Sequence, residues 1–446
     1  MVHRGGMIPM TGRSVAACTV ITWCLLSVGC SWHSTPTAAD EAEAIPSMTE
    51  EQMQQPREVI VNNDGFSAFF SGAFSTREDL EQWVHQYQDT DVTVLEWCLG
   101  PCGGTFTFDT EVGDILGEGV TDEEFEQLRR GDRRAAETVQ RLIAEGNDPL
   151  HVVTEQAEED GIPLFVSLRM CPFYGGTYDD FLNGSFWHEN PELRIVNQGG
   201  GRHPHMSYAY PEFRQFFLDV LSETMRYEID GVNMDFLRHP PFFGFEPVLV
   251  EGFKDEYGVE PPGPEPEKWW RYRAQFMTQF VRELRQRLDE AEQRLGHPLR
   301  ISARVDHNDY LQQGLDIETW IDEGLLDMLI VSEHGQLGGF EFSLQPFVEM
   351  LEGTDCKLLF GEEAITAGHD LTPEEDKRLA RGEKLELERG SLSKADHCRR
   401  ALRWYAQGAD GVHIFNGPKD FSTLYCLGTA AKAKACLEEA EAETQE

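Results

Sequence analysis

Beyond residue 57 the chain alternates short apolar runs with longer stretches in which apolar residues return every third or fourth position. The runs suit strands and the stretches suit helices with one buried face. EVIVNND is followed by a helix over TREDLEQWVHQYQ, and VTVLEW by a glycine-rich insertion and a helical region ending near QAEEDG. IPLFVSLRM leads through an aromatic insertion to PEFRQFFLDVLSETMRY, and DGVNMD to the long helix WWRYRAQFMTQFVRELRQRLDEAEQRL. LRISARVD, LDMLIVSE, CKLLFGEE and DGVHIFNG follow, with helices near LDIETWIDEG, SLQPFVEML, KADHCRRALRWYAQG and TLYCLGTAAKAKACLEEA, which makes eight of each. Strict alternation implies a parallel sheet with crossover helices, and eight repeats close most economically as a (β/α)8 TIM barrel of the α/β class. The rival is an open doubly wound sheet, but no glycine fingerprint follows the first strand, and no cofactor is expected.

Upstream the pattern changes. Arg4 and Arg13 precede the apolar run VAACTVITWCLLSVG, which is short for a membrane span and ends at Cys30. We read residues 1–29 as an export signal similar to that of bacterial lipoproteins, with Cys30 lipidated, although Ser27 stands where leucine is usual. Residues 30–56 read as a flexible tether, 57–440 as the barrel and 441–446 as an acidic tail. The expected location is the bacterial cell envelope, with a lipid anchor to a membrane. Cys98 and Cys102 are spaced for a loop disulfide, whereas Cys426 and Cys436, in helix-like sequence, are expected to be buried thiols.

Composition narrows the partner. Asp and Glu number 79 against 38 Lys and Arg, a formal charge of -41. Such a chain repels nucleic-acid phosphates at long range and favours a neutral or cationic small partner.

In a barrel of this kind the functional face lies where the strands end, so the residues that close each apolar run are the ones to inspect. They are Asn63 and Asp64; Glu96 and Trp97; Arg169; Asp235, then Arg238 and His239; Asp306 and His307; Glu333 and His334; Glu362; and Asn416. Single acids at such positions are ordinary turn formers, but carboxylates closing four successive strands suggest chemistry. Asp230, in Asp-Gly before the fourth strand, reads as a turn residue at the barrel bottom, and Glu363 as a solvated neighbour of Glu362. Aromatic residues crowd the same loops, Tyr174 and Tyr208 among them, and aromatic faces beside carboxylates suit sugar rings.

Tyr210 to Pro240, YPEFRQFFLDVLSETMRYEIDGVNMDFLRHP, resembles the bacterial glycosyl-hydrolase-like family 10 proteins, TIM barrels found in exported and lipoprotein forms. The resemblance implies that Asp235 is a principal active-site acid. Related retaining barrels place the acid/base at the end of strand six, here Glu333, and others use strand five or seven, here Asp306 or Glu362. The expected function is cleavage of a glycosidic bond in a poly- or oligosaccharide by two carboxylates. Two alternatives stay open: a metal-dependent barrel enzyme using His239, His307 or His334 beside the acids, though no metal site is assigned, and a glycan-binding lipoprotein without activity.

Overall fold

Eight parallel strands close on themselves in chain order: β1 (Glu58–Asn63), β2 (Val94–Cys98), β3 (Leu164–Arg169), β4 (Gly231–Asp235), β5 (Arg300–Asp306), β6 (Met328–Ser332), β7 (Lys357–Glu363) and β8 (Gly411–Phe415), with β8 returning to β1. The computed structural model describes residues 46–101, 103–171, 173–175, 180–237, 240–333, 342–367, 369–386 and 390–445. Cys30 and the export signal lie outside them. Within the span read as a tether, Glu50–Gln54 is one helical turn closed by a Thr49/Gln52 capping box. No helix among the described residues is long and apolar enough to cross a membrane.

Each strand connects to the next through at least one helix, as the alternation predicts, and several connections hold more than one. β2 and β3 are joined through Arg130–Ala144 and Pro149–Asp160, and β4 and β5 through Pro247–Tyr257 and Pro266–Leu295. Pro149–Asp160 stops at Gly161, whose positive φ of 69° lets the chain turn back into β3 at no steric cost. Aspartates at the barrel bottom fix strand starts. Asp230 Oδ2 accepts from the Leu164 amide at 2.8 Å, Asp327 Oδ2 from Ile301 at 2.7 Å, and Asp410 Oδ2 from Leu358 at 3.0 Å. The turn reading of Asp230 thus describes a device used at three strand starts.

Side chains alternate along each strand, so every second residue faces the barrel axis. Ile60, Val94, Phe165, Met328, Ile330 and Leu359 form an apolar plug in the lower barrel. The residues of opposite parity, such as Val59, Leu95, Val166, Val232 and Val412, pack outward against the helices in the larger core. Burial of these two sets is the main stabilising term of the fold.

Two cysteines depart from expectation. Cys426 and Cys436 are joined in a disulfide, not held as thiols: the turn before helix Ala430–Gln445 folds back and brings their Cα atoms to 6.0 Å. Cys98 is a buried free thiol whose Sγ lies 3.3 Å from Gly100 O, and Cys102 is outside the described residues.

Candidate functional site

Above the apolar plug the barrel interior turns polar. Asn62, Glu96, Ser167, Asn233, Ser302 and His413 form the next step up the strands, all fully or nearly fully buried. Glu96 Oε2 accepts from Asn62 Nδ2 at 3.2 Å and lies 2.9 Å from His413 Nε2, while its Oε1 accepts from Ser302 Oγ at 3.4 Å. Asn233 continues the chain, donating to Ser302 Oγ at 2.8 Å and accepting from Ser167 Oγ at 2.9 Å. Buried polar groups are costly unless paired, and these bond one another across six strands, leaving Asn62 Oδ1 and His413 Nδ1 without a partner among the described residues. Glu96, read as a rim residue, is therefore part of the floor beneath the mouth.

One more inward step up, charged groups of alternating sign meet at the strand ends. Asp235 closes β4 and Arg304 is its neighbour in register on β5. Arg304 Nη1 is 3.6 Å from Asp235 Oδ2, and its Nη2 is 3.6 Å from Glu363 Oε1 on β7. The guanidinium is 1% exposed and lies over the Phe415 ring, 5.0 Å from its centroid. None of its three nitrogens has a hydrogen-bond partner among the described residues. Asp235, 2% exposed, accepts from the Leu237 amide at 3.1 Å.

Arg169, on the other side of Asp235, donates from Nη1 to Pro101 O at 3.3 Å and is 3.5 Å from Tyr174 Oη, which itself donates to Pro101 O at 2.7 Å. Burial opposes its charge, yet Cys98, Tyr174, Asp64 and Asp235 around it raise its pKa. Asp64 shows the converse. Burial would push its carboxyl up, but Arg169 and hydrogen bonds from Ser67 and the Phe66 amide hold it below its ordinary value. Burial pushes the Cys98 thiol up despite Arg169, which leaves it a poor nucleophile.

Other predicted residues support the rim. Asp64 Oδ2 accepts from Asn416 Nδ2 at 3.0 Å, and Asn416 Oδ1 from the Asp64 amide at 2.9 Å. Asn416 does so from a left-handed backbone, φ 59°, which asparagine tolerates better than most residues. Asn63 Oδ1 accepts from the Gly65 amide at 2.9 Å, and Asp306 Oδ1 from the Asn308 amide at 2.8 Å, so both shape turns. The His307 ring stacks on Phe342 with centroids 4.4 Å apart, and burial lowers its pKa. Glu333, half-buried, directly follows β6. Arg238, His239 and His334 lie outside the described residues, among which no three His, Cys, Asp or Glu side chains group as metal ligands.

Three predicted residues are elsewhere. Glu362 has outward parity on β7: it contacts His397 Nδ1, and its Oε2 is 3.6 Å from Arg400 Nη1, both on helix Lys394–Ala406. His397, which by sequence falls on a helix far from any strand end, thus reaches β7 from behind. Trp97 also points outward, fully buried against Phe69, Phe74 and Trp83. Tyr208 is fully buried among Phe213, Phe242 and Phe280, its hydroxyl donating to Met170 O at 2.7 Å. Most of the loop aromatics are therefore core of the covering loops. Glu363, set aside as a solvated neighbour, is the β7 acid that meets Arg304. The signal lay in the period of two, because Leu359 and Gly361 share its face.

Residues 129–341 match the family model described as Glycosyl hydrolase-like 10. No curated protein matches the chain. Among solved structures, it is similar to alpha-L-fucosidase isoenzyme 2 from Paenibacillus thiaminolyticus, with 15% identity and a TM-score of 0.47 over 87% of this chain and 50% of that one. It is also similar to chitinase ChiW from Paenibacillus sp. str. FPU-7, with 12% identity and a TM-score of 0.43 over 86% and 43%. The Group IV chitinase of Ostrinia furnacalis gives 13% identity and a TM-score of 0.40 over 87% and 99%. The chain thus spans half of the fucosidase and less than half of ChiW.

Proposed function

We propose that the chain, whose residues 129–341 match the glycosyl hydrolase-like 10 family model, is a glycoside hydrolase acting on a poly- or oligosaccharide at the mouth of its barrel. The observation that carries the reading is Arg304, a buried guanidinium set 3.6 Å from each of two carboxylates, whose nitrogens have no hydrogen-bond partner among the described residues. Such a group can take sugar hydroxyls while offsetting the charge of the acids beside it. Glycoside cleavage needs one carboxyl group to protonate the leaving oxygen and a second to attack the anomeric carbon or activate water. We assign the second role to Asp235 and the proton donor to Glu333, with Arg304 and Glu363 orienting the sugar. We further propose that the chain is exported and anchored by lipid at Cys30, to be tested by mass spectrometry of the mature N-terminus beside a Cys30→Ala variant.

The test of the hydrolase reading is release of reducing ends from a panel of polysaccharides. Asp235→Asn and Glu333→Gln should each lower the rate by about 10²-fold or more while glycan binding is kept. Equal binding by all three proteins with no bond cleaved by any of them would make the chain a glycan-binding protein instead.

A further inference from the structure

Of the arginines on the surface of this acid-rich chain, some bond backbone carbonyls, as Arg134 and Arg294 do, and many meet carboxylates, as Arg77 does with Glu81 and Glu155, both at 2.5 Å, and Arg282 with Glu323 at 2.5 Å. Arg194 and Arg202 do not. They belong to the two strands of a hairpin, Arg194–Val196 and Arg202–Met206, in the connection between β3 and β4. Neither has a carboxylate within 4.0 Å among the described residues. Their hydrogen bonds go to carbonyls: Arg194 Nη2 to Trp187 O at 3.3 Å, and Arg202 Nη1 to Pro191 O at 2.9 Å and Glu192 O at 3.0 Å.

Both face a cavity of about 470 Å³, lined also by Tyr174, Asp180, Trp187 and His203. The volume falls within the roughly 300–1,000 Å³ of ordinary ligand sites. The Arg194 guanidinium lies over the Trp187 ring, 3.5 Å from its centroid, and its Nε is buried without a partner among the described residues. The ring is anchored in turn, Trp187 Nε1 donating to Pro204 O at 2.7 Å. Asp180, the one acid in the lining among the described residues, lies 3.8 Å from His188. His203 Nδ1 accepts from the His205 amide at 3.2 Å, so the neutral ring keeps its proton on Nε2. The cavity therefore gathers two cations and a ring donor with little counter-charge. A chain-wide charge of -41 predicts a neutral or cationic partner, and this cavity is a local exception.

We propose that the cavity binds the carboxylate or sulfate group of an acidic polysaccharide through Arg194, Arg202 and His203. Two guanidiniums with no carboxylate in ion-pair contact among the described residues, Asp180 acting on Arg194 only from a distance, are suited to an oxyanion, which each can hold by charge-assisted hydrogen bonds. Tyr174 links the cavity to the mouth, since its side chain lines the former while its hydroxyl sits beside Arg169. A polymer held here by an acidic group would reach Asp235 with a different residue of its chain. The inference rests on the reading of the mouth as a carbohydrate site but not on catalysis there.

Affinity electrophoresis of the full chain tests it, with polygalacturonate, a sulfated galactan or a neutral mannan cast in the gel. Retention is expected on an acidic polymer and not on mannan, and which acidic gel retards the chain separates carboxylate from sulfate. Arg202 is exposed, so Arg202→Gln should fold. It should weaken retention about tenfold or more, Arg202→Lys less, and the double variant with Arg194→Gln most. Undiminished retention of Arg202→Gln, equal retention on mannan, or no retention on any gel would overturn the site. Asp235→Asn should be retained like the natural chain. Arg202-dependent retention without any release of reducing ends would sustain this site and remove the hydrolase reading; release of reducing ends without Arg202-dependent retention would do the reverse.

Discussion

His205, beside this cavity, shows how one buried ring couples to pH. It is 6% exposed, its ring centroid 4.2 Å from that of His203, and burial with that neighbour lowers its pKa from 6.5 to about 4. The unfolded chain therefore binds this proton more readily than the folded one between those values. The stability contribution is complete above pH 6.5 and is lost as pH falls toward 4, up to about 3 kcal/mol. The thermal midpoint should drop between pH 7 and pH 5, and His205→Asn should flatten that drop; an unchanged slope would count against it. At this scale the sequence was partly legible. Asp235 could be placed at the end of a strand because Asp-Gly and two apolar steps precede it. Arg304 as a cation beside Asp235 could be read from the strand that follows, but its second acid, Glu363, could not, because that contact depends on β5 and β7 turning their ends toward each other in a closed barrel. Tyr208 and Trp97 misled because an aromatic residue near a strand end packs under a covering loop as readily as it lines a cleft.

Along a single strand, Glu362 and Glu363 show how alternation divides structure from function. Glu362 is buried against His397 and Arg400, and removing one partner of such a cluster costs on the order of 3–5 kcal/mol. Glu362→Ala should lower the thermal midpoint sharply. Glu363→Gln, which touches the mouth through Arg304, should lower glycosidic activity with a smaller change in midpoint. The reverse pattern in paired melting and activity measurements would show that the two acids had been assigned to the wrong faces. The elements themselves were readable, since every expected strand and connection is present and Gly161 ends its helix where the pattern changes. The hairpin carrying Arg194 and Arg202 was not, for its strands are short and set among aromatic residues that have no clear period.

For the molecule as a whole, charge and closure set the terms. A formal charge of -41 works against compactness through self-repulsion. Raising NaCl from about 10 mM to about 150 mM shortens the screening length from about 30 Å to about 8 Å and should raise the thermal midpoint; a fall would mean that attractive pairs outweigh repulsion. Closure explains why the barrel could be counted from the sequence while its interior could not: eight alternations give the number of strands, but which residues touch across the axis follows only from register. The polar floor, Asn62, Glu96, Ser167, Asn233, Ser302 and His413, is the consequence of that register. Its members come from six strands, and each answers a neighbour's donor or acceptor, so no one of them can drift to an apolar residue alone without orphaning another. Substitutions there would be tolerated mainly in matched sets, whereas the loops above are bound by no such reciprocity. Descendants of this barrel would therefore diversify from the rim outward, keeping a common base beneath sites that have come to recognise different molecules.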